Sequence, residues 1–422
     1  MSGLSRSLET ASPPASAGME GALRLLAGPD GTDPEGLAEH LDRLGALPAA
    51  LPALLGEVRA AGLRGRGGAG FPTADKIAAV IAQGGRPRAV VVANGVESEP
   101  ASAKDQSLLS RRPHLVLDGL HLAGGLVGAE RLLLALPRRG PAAGAVREAV
   151  RERRAHLSSE MEVELVVTPG GFVAGQETSL TSWASGGVAK PRPVPPRPSQ
   201  RGVAGRPTLV QNVETLANLA LIARFGALWF RSIGPEADPG TTLVTISGAV
   251  SQPGVYEVSV GTPLRDLLEG ARWDGRAQAV LIGGYFGTWV PSRSATEVGY
   301  CRADLATIGA APGAGVVAVL SPDHCGVREG AKLVRWLAGQ SSHQCGPCVM
   351  GLPAIAGALE QLAAPTSAAS SLLAERVLKW CDDVQGRGAC HHPDGAVRLA
   401  RSVLETFADE LSSHREGRCL QA

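Results

Sequence analysis

Hydrophobic and polar positions follow two alternating periods through the first half of the chain. Apolar residues recur at helical spacing over residues 37–61, 114–127 and 145–156. Between these segments, short apolar runs at residues 89–93 and 162–167 have the length and composition of buried strands. Because strands alternate with helices, the pattern predicts an α/β domain with a largely parallel sheet.

The pattern changes after residue 238. Residues 241–250 and 255–260 flank a Pro-Gly turn and predict a β-hairpin. A short helix over residues 263–269 and a strand over residues 279–282 are expected to follow. This succession predicts a small module of the β-grasp type.

From about residue 331 onward the apolar spacing is helical again. Helices are expected near residues 353–363, 370–380 and 394–411. They predict a C-terminal helical bundle.

The chain has no run of about 18 or more uncharged apolar residues, so we expect no transmembrane helix and no direct membrane insertion.

Composition narrows the classes of function. The formal net charge of +1 provides no field that would attract nucleic acid or an anionic membrane. Residues 1–18 are rich in Ser, Ala and Pro and lack the apolar core of a secretory signal, which predicts a disordered tail and a cytoplasmic protein. The seven cysteines all lie in the last third of the chain. An odd number in a large chain argues against a disulfide framework and favours free thiols or metal ligands.

A glycine-rich run is the first candidate for chemistry. Residues 62–73 read GLRGRGGAGFPT, with five glycines, two arginines and no acidic residue. Glycine backbone can approach a ligand without a Cβ in the way, and arginine offers fork-shaped donors to phosphate. The run therefore predicts a seat for a phosphorylated cofactor, although a glycine-rich surface loop would have the same composition. A helix precedes it where a dinucleotide-binding turn needs a strand, so we expect a different geometry.

Three cysteines have the spacing of a metal site. Cys345 and Cys348 form a C-x-x-C pair, and Cys390 lies further along the chain. Thiolates at this spacing grip one metal ion or an iron–sulfur cluster, and a distant third ligand closes the site. Buried free thiols are the alternative. A zinc ion would need a fourth ligand, for which the candidates are His343, His391 and His392.

The other cysteines lack such pairing. We expect Cys301, Cys325, Cys381 and Cys419 to be small apolar side chains. Cys381 precedes two aspartates and remains a further candidate for a ligand.

Further motifs follow the glycine run in a fixed order. Residues 94–100 read NGVESEP, residues 175–178 read GQET, residues 194–198 read VPPRP, and residues 207–216 read PTLVQNVETL. With the cysteines, five separated motifs fall in one order that resembles the F subunit of NADH-quinone oxidoreductase. That family binds FMN, NADH and an iron–sulfur cluster in respiratory complex I. Related subunits occur in NAD-linked hydrogenases and formate dehydrogenases.

The resemblance covers residues 50–412 and implies an architecture. It implies a Rossmann-like FMN-binding α/β domain over residues 19–235, after a tail over residues 1–18. A β-grasp (soluble-ligand-binding) domain over residues 236–325 and a helical iron–sulfur domain over residues 326–415 would follow.

The resemblance also implies a set of cofactor-binding residues. In the family the glycine loop packs on FMN, and Glu97 and Glu99 would orient ribityl or nicotinamide groups. The positions that match are Gly62, Arg64, Gly65, Gly67, Gly68, Gly70, Phe71, Lys76, Asn94, Glu97, Ser98, Glu99, Gly175, Gln176, Glu177, Gln211 and Asn212.

This chain departs from the family pattern at several of its motifs. Val96 replaces an aspartate, and Gln176 replaces a glutamate. Val194 replaces a lysine, and Arg197 replaces an aromatic residue that would stack on the dinucleotide. In the cluster motif, register places the first family cysteine at Ser342, while Cys345, Cys348 and Cys390 match the other three. The resemblance therefore implies a [4Fe–4S] cluster with three thiolates and an open question at its fourth ligand.

The function implied is that of an NADH dehydrogenase-like oxidoreductase subunit. Electrons would pass from NADH through FMN and the cluster to a ferredoxin-like or [2Fe–2S] subunit of a larger redox complex. The cofactors would carry the chemistry, so no side chain is expected to be catalytic. We expect the protein to be cytoplasmic, or peripheral to a membrane complex. Two alternatives stay open: a ferredoxin or flavoprotein in place of NADH, and a scaffold without activity.

Overall fold

The computed structural model describes residues 23–29, 33–48, 52–84, 88–157, 160–365 and 371–421. The tail expected over residues 1–18 lies outside the described residues. The first part of the fold alternates helices and strands. In chain order these are α1 (Leu37–Leu44), α2 (Pro52–Ala61), α3 (Thr73–Ile81), β1 (Val90–Asn94), α4 (Lys104–Arg111), α5 (Pro113–Val127), β2 (Arg131–Pro137), α6 (Ala142–His156), β3 (Val163–Thr168), α7 (Glu177–Ala184), β4 (Thr208–Asn212) and α8 (Val213–Arg231).

The four strands of this part form one parallel sheet in the order β3-β2-β1-β4. Both faces of β1, one of the two inner strands, are buried. Val91 and Ala93 face the core formed with α5 and α8, while Val90 and Val92 pack with Leu180 of α7. Burial on both faces explains why β1 is a continuous apolar run rather than an alternating one. The predicted α/β fold class is confirmed.

The strand order reverses between β1 and β4. The chain runs from β1 outward to β2 and β3, then crosses back to place β4 on the other side of β1. Asn94 and Asn212 are register partners and end their two strands together. In open α/β sheets this reversal leaves a crevice beyond the carboxyl ends of the two strands, where ligands bind.

The second part contains β5 (Thr241–Gly248), β6 (Gly254–Ser259), α9 (Leu264–Gly270), β7 (Ala279–Ile282), β8 (Thr288–Pro291), α10 (Ser292–Ala295), α11 (Arg302–Thr307) and β9 (Val316–Val319). Its five strands form one mixed sheet in the order β6-β5-β9-β7-β8. The predicted hairpin is confirmed, since β5 and β6 pair antiparallel, and β5 also pairs parallel with β9.

The third part is the predicted helical bundle. Its core is aliphatic and includes Leu333, Leu337, Leu352, Leu359 and Val403, all essentially buried. Gly326 lets the first helix approach the Phe407 ring, because a Cβ at this glycine would lie 2.1 Å from that ring. The elements are α12 (Gly326–Gly339), a wide helical turn (Pro347–Gly351), α13 (Leu352–Ala363), α14 (Ser371–Val384), α15 (His392–Thr406) and α16 (Ala408–Arg415).

Helix α8 is long and apolar enough to cross a membrane by length and composition alone. Two thirds of this segment is buried inside the fold, and Gly226 interrupts it with a φ of 81°. It packs against α5, where Gly119 faces the backbone of Leu216. An added Cβ at Gly119 would lie 1.9 Å from the Leu216 carbonyl oxygen, so the two helices meet at a contact that only glycine permits.

This contact makes Gly119→Ala a test of the α5–α8 packing. We expect it to lower the free energy of unfolding of this part of the fold by roughly 1–3 kcal/mol, because the helices must separate. Gly144→Ala is the matched control, since Gly144 is helical and exposed with nothing within 4 Å of an added Cβ. That control should stabilise by roughly 0.5–1 kcal/mol. Thermal unfolding measures both, and equal midpoints for the two variants would contradict the packing.

Candidate cofactor-binding site

The floor of the crevice is formed by the ends of β1 and β4. The Asn94 side-chain amide donates to the carbonyl oxygen of Gly175 at 2.9 Å. The Asn212 amide donates to Asp105 at 2.6 Å, while its oxygen accepts from the Glu214 backbone N–H at 3.0 Å and caps α8. Both asparagines are thus held at the position where the strand order reverses.

The glycine loop lies over this floor, between α2 and α3. It is closed by a hydrogen bond from Gly65 N–H to the Phe71 carbonyl oxygen at 2.9 Å. Gly68 and Gly70 have φ values of 105° and 61°, a region that favours glycine. A Cβ at Gly67 would lie 3.2 Å from the Asn212 Cβ, so the loop meets the end of β4 with bare backbone.

The arginines of the loop mainly brace it. Arg64 donates to the Gly70 carbonyl oxygen at 3.3 Å, within the loop itself. Arg66 donates through its guanidinium to the Pro239 carbonyl oxygen at 3.3 Å and lies 3.9 Å from Asp238. The sequence predicts that these arginines donate to phosphate. In the structure, the contacts of Arg66 direct its guanidinium toward the segment before β5.

Lys76 is the cation that reaches across from α3 to α7. Its Nζ lies 3.1 Å from the Glu177 carboxylate, and both side chains are about one-third exposed or less, at 27% and 35%. The preceding residue, Gln176, caps α7 by accepting from the backbone N–H groups of Thr178 and Ser179 at 2.8 and 3.0 Å. Gln176 therefore supplies a neutral capping acceptor at the start of α7.

Glu97 and Glu99 make their hydrogen bonds to the protein. Glu97 accepts from the backbone N–H groups of Asp105 and Gln106 at 3.1 and 3.0 Å and so caps α4. Glu99 accepts from Tyr285 N–H at 2.9 Å and ties the first sheet to the second. Burial raises the pKa of each carboxyl to about 7, with the charge of Asp105 adding to the effect on Glu97. Their predicted contact with a cofactor stays a prediction.

A buried ion network lies behind the floor. Lys104 Nζ contacts Asp105 at 2.7 Å and Glu214 at 2.8 Å, and Asp105 is the group that holds Asn212. These charges keep the pKa of Lys104 well above its usual value despite its burial. Sequence reasoning did not assign this network, although Lys104 and Asp105 closely follow the NGVESEP motif.

The remaining predicted residues lie around the same crevice. Gly175 closely approaches the segment after β1, since an added Cβ would lie 2.8 Å from the Val96 carbonyl oxygen and 3.2 Å from the Ser98 hydroxyl. Phe71 is 48% exposed. Gln211 is buried, and within the described residues its Nε2 has no hydrogen-bond partner.

The predicted cluster ligands lie at the entrance to the helical bundle. Cys348 is buried in the wide turn before α13, and Cys390 lies just before α15. Cys345 neighbours both thiols, and burial together with the Cys345 thiol raises the pKa of Cys348 to about 12. Ser342 is 8% exposed, and the hydroxyl of Ser341 also neighbours Cys348.

Two of the three alternative histidine ligands, His391 and His392, make other contacts, and the third, His343, is exposed. His392 donates its Nε2–H to the Leu337 carbonyl oxygen at 2.9 Å and packs edge-on against the Phe172 and Phe286 rings. His391 is exposed and pairs with Asp394 at 3.1 Å. These contacts favour the three thiols over an imidazole as the core of the site.

Three family models match successive parts of the chain. The Nuo51 FMN-binding domain matches residues 58–221, and the SLBB domain matches residues 243–273. The NADH-ubiquinone oxidoreductase-F iron-sulfur binding region matches residues 330–414. The glycine loop and the crevice floor fall in the first match, and the three cysteines fall in the last.

Relatives align along most of the chain. One F subunit of NADH-quinone oxidoreductase in Rhizobium meliloti is 32% identical over 379 residues, covering 86% of this chain and 88% of the relative. The F subunit of the same enzyme in Streptomyces coelicolor is 32% identical over 385 residues, covering 86% and 83%. The solved structure of NAD+-reducing [NiFe]-hydrogenase in the H2-reduced state matches with a TM-score of 0.77 and 30% identity, over 90% of this chain and 67% of that chain. The chain belongs to the family of NADH-quinone oxidoreductase F subunits.

Proposed function

We propose that this chain is an oxidoreductase subunit that oxidises NADH and passes the electrons through FMN and an iron–sulfur cluster to a partner. The observation that carries the proposal is the glycine loop lying bare against Asn212 at the reversal of strand order. That is where a doubly wound sheet binds its ligand, and the family model that matches this region is an FMN-binding domain.

The crevice residues fit FMN. Gly67 meets Asn212 with bare backbone, and a side chain at this position would crowd the floor, since its Cβ would lie 3.2 Å from the Asn212 Cβ. Gln211 Nε2 is a buried donor that awaits an acceptor among the described residues. Lys76 supplies a positive charge on the far side, where a phosphate could replace Glu177 as its partner.

The donor set at the bundle fits an iron–sulfur cluster. Cys345, Cys348 and Cys390 offer three thiols, which is the ligand type that such clusters use. Ser342 is buried at the register position of the fourth ligand. A serine oxygen binds iron less well than a thiolate, so the cluster would be held less firmly at that corner.

When bound, FMN supplies hydride acceptance and release of single electrons, and the cluster supplies one-electron transfer. The chain contributes positioning and electrostatics. Asn94 and Asn212 form the floor of the crevice, and the glycine loop covers it with backbone that carries no side chain at Gly67. Glu97 holds the segment between β1 and α4 in place. Phe71, half exposed beside the loop, offers a ring face for the nicotinamide or adenine of NADH.

The chain acts as one component of a larger redox complex, as its relatives are named subunits of NADH-quinone oxidoreductase. The partner that receives the electrons is proposed to be a ferredoxin-like or [2Fe–2S] subunit. We place the chain in the cytoplasm or at the cytoplasmic side of a membrane complex, since its longest apolar helix is largely buried in the fold.

Anaerobic purification after iron supplementation tests the electron path. We expect flavin absorbance, iron and sulfide, and loss of the flavin absorbance when NADH is added, because NADH would reduce the bound flavin. Flavin that is present and not bleached by NADH would overturn NADH as the donor and leave the electron-transfer class intact. A chain with neither flavin nor iron would overturn the whole proposal.

The proposed FMN-binding position of the glycine loop is tested by Gly67→Leu, which forces a side chain into the contact between the loop and Asn212. Gly67 does not have a positive φ, so the substitution changes space rather than backbone strain. We expect the Kd for FMN to rise roughly ten- to a hundredfold, the effect of about 1–3 kcal/mol of overpacking. Flavin fluorescence during titration measures this, with Gly144→Leu as the exposed control. Unchanged FMN affinity in Gly67→Leu would show that the loop is not the seat.

The fourth cluster ligand is tested by Ser342→Cys. We expect this variant to retain four irons per chain through gel filtration in air for longer than the wild type, because a thiolate replaces a weaker oxygen ligand. Ser341→Cys is the matched control, since Ser341 is also buried and neighbours Cys348. If Ser341→Cys stabilises the cluster and Ser342→Cys does not, the register assignment is wrong.

A further inference from the structure

Four side chains of the helical bundle converge outside the iron–sulfur motif. Cys325 directly precedes α12, Glu410 and His414 lie one turn apart on α16, and Cys419 lies in the segment after it. Their ligand atoms all lie within 4.8 Å of one another. The Cys325 sulfur is 3.6 Å from His414 Nε2, which in turn is 3.6 Å from a Glu410 oxygen. That oxygen is 3.3 Å from the Cys419 sulfur.

The imidazole is oriented as a ligand. His414 Nδ1 lies 3.0 Å from the Leu362 carbonyl oxygen, and because this oxygen can only accept, Nδ1–H donates the hydrogen bond. This hydrogen bond fixes the tautomer, so that Nε2 keeps its lone pair and points it at the two sulfurs and the carboxylate. A backbone carbonyl that accepts from the second ring nitrogen is the usual support of a metal-bound histidine.

The carboxylate has a free oxygen in a buried position. Glu410 is 2% exposed and His414 is fully buried. Within the described part of the chain, Oε2 of Glu410 has no hydrogen-bond partner. A buried carboxylate oxygen without a partner is costly, and two thiols beside it offer little compensation. A cation at the centre of the four groups would remove this cost.

We propose that Cys325, Glu410, His414 and Cys419 bind one Zn²⁺ ion in a structural site. Two thiolates, one imidazole and one carboxylate make a four-coordinate set of the ligand types that zinc uses. The sulfur atoms exclude Mg²⁺ and Ca²⁺, which require oxygen ligands. Four protein ligands leave no open coordination position for a substrate, so the role of the ion is to stabilise the fold. Binding displaces one proton from each thiol to solvent, and the affinity therefore rises with pH.

Such a site would join the two ends of the bundle. Cys325 and Cys419 lie outside the region that matches the iron–sulfur family model, on either side of it. The ion would fasten the start of α12 to α16 and to the segment that follows. Its formation does not depend on the flavin crevice, so failure of the proposed function and failure of this site are separately observable.

The test is a metal count on the full chain, purified without chelators from zinc-supplemented cells. We expect one zinc per chain by mass spectrometry of the metal, beside the iron of the cluster. His414→Gln and Cys419→Ser should each lose it. Cys381→Ser is the matched control, a buried cysteine of the same bundle that should keep it. Because an empty cluster site can also capture zinc, the variant with Cys345→Ser and Cys348→Ser must retain one zinc.

A second measurement covers variants that fold poorly. Co²⁺ added to the zinc-stripped chain should give thiolate-to-cobalt charge transfer and tetrahedral d–d bands, and Glu410→Gln, of the same shape, should alter the d–d bands without unfolding the chain. Zinc that disappears only with Cys345 and Cys348 would overturn the site. So would a chain that binds neither Zn²⁺ nor Co²⁺, or a Cys325–Cys419 disulfide found in alkylated peptides.

Discussion

The buried ammonium of Lys104 is the group on which the arrangement of the first two parts of the fold depends. Its contact with Asp105 fixes the carboxylate that holds Asn212 at the crevice floor. Its contact with Glu214 fixes a second carboxylate, which accepts from the Leu243 backbone N–H at 3.0 Å in β5. Breaking a buried network of this kind by removal of one partner typically costs about 3–5 kcal/mol. The crevice and the second sheet are therefore positioned by one charge.

The sequence was sufficient for elements whose pattern is local. Val90–Asn94 is a strand because four consecutive apolar residues can be buried only where both faces are covered, and the run itself carries that information. The close backbone approach of the glycine loop was likewise predictable, since only bare backbone can lie so close to Asn212. The strand order was not predictable in this way, because it depends on how distant helices pack on the sheet.

The direction of side chains was harder to predict than their position. Glu97 and Glu99 fall in register with a cofactor motif, yet their carboxylates accept from the backbone of Gln106 and Tyr285. Alignment with the motif predicts where the Cα atom of each glutamate lies. The hydrogen bonds of the two carboxylates depend instead on helix α4 and on the loop that contains Tyr285, far along the chain. Cys325 and Cys419 show the same limit, because their sulfurs meet only after α12 and α16 have packed.

The pairing of Lys76 with Glu177 has a consequence for selectivity. The lysine is already neutralised by a carboxylate, so a phosphate that enters the crevice makes an exchange rather than a new ion pair. The Coulomb gain is then a difference between two anions and is too small to retain inorganic phosphate by itself. Under the proposed function, the flavin ring at the glycine loop and an acceptor for Gln211 would supply the rest of the affinity. The crevice would then select its ligand by shape rather than by charge alone.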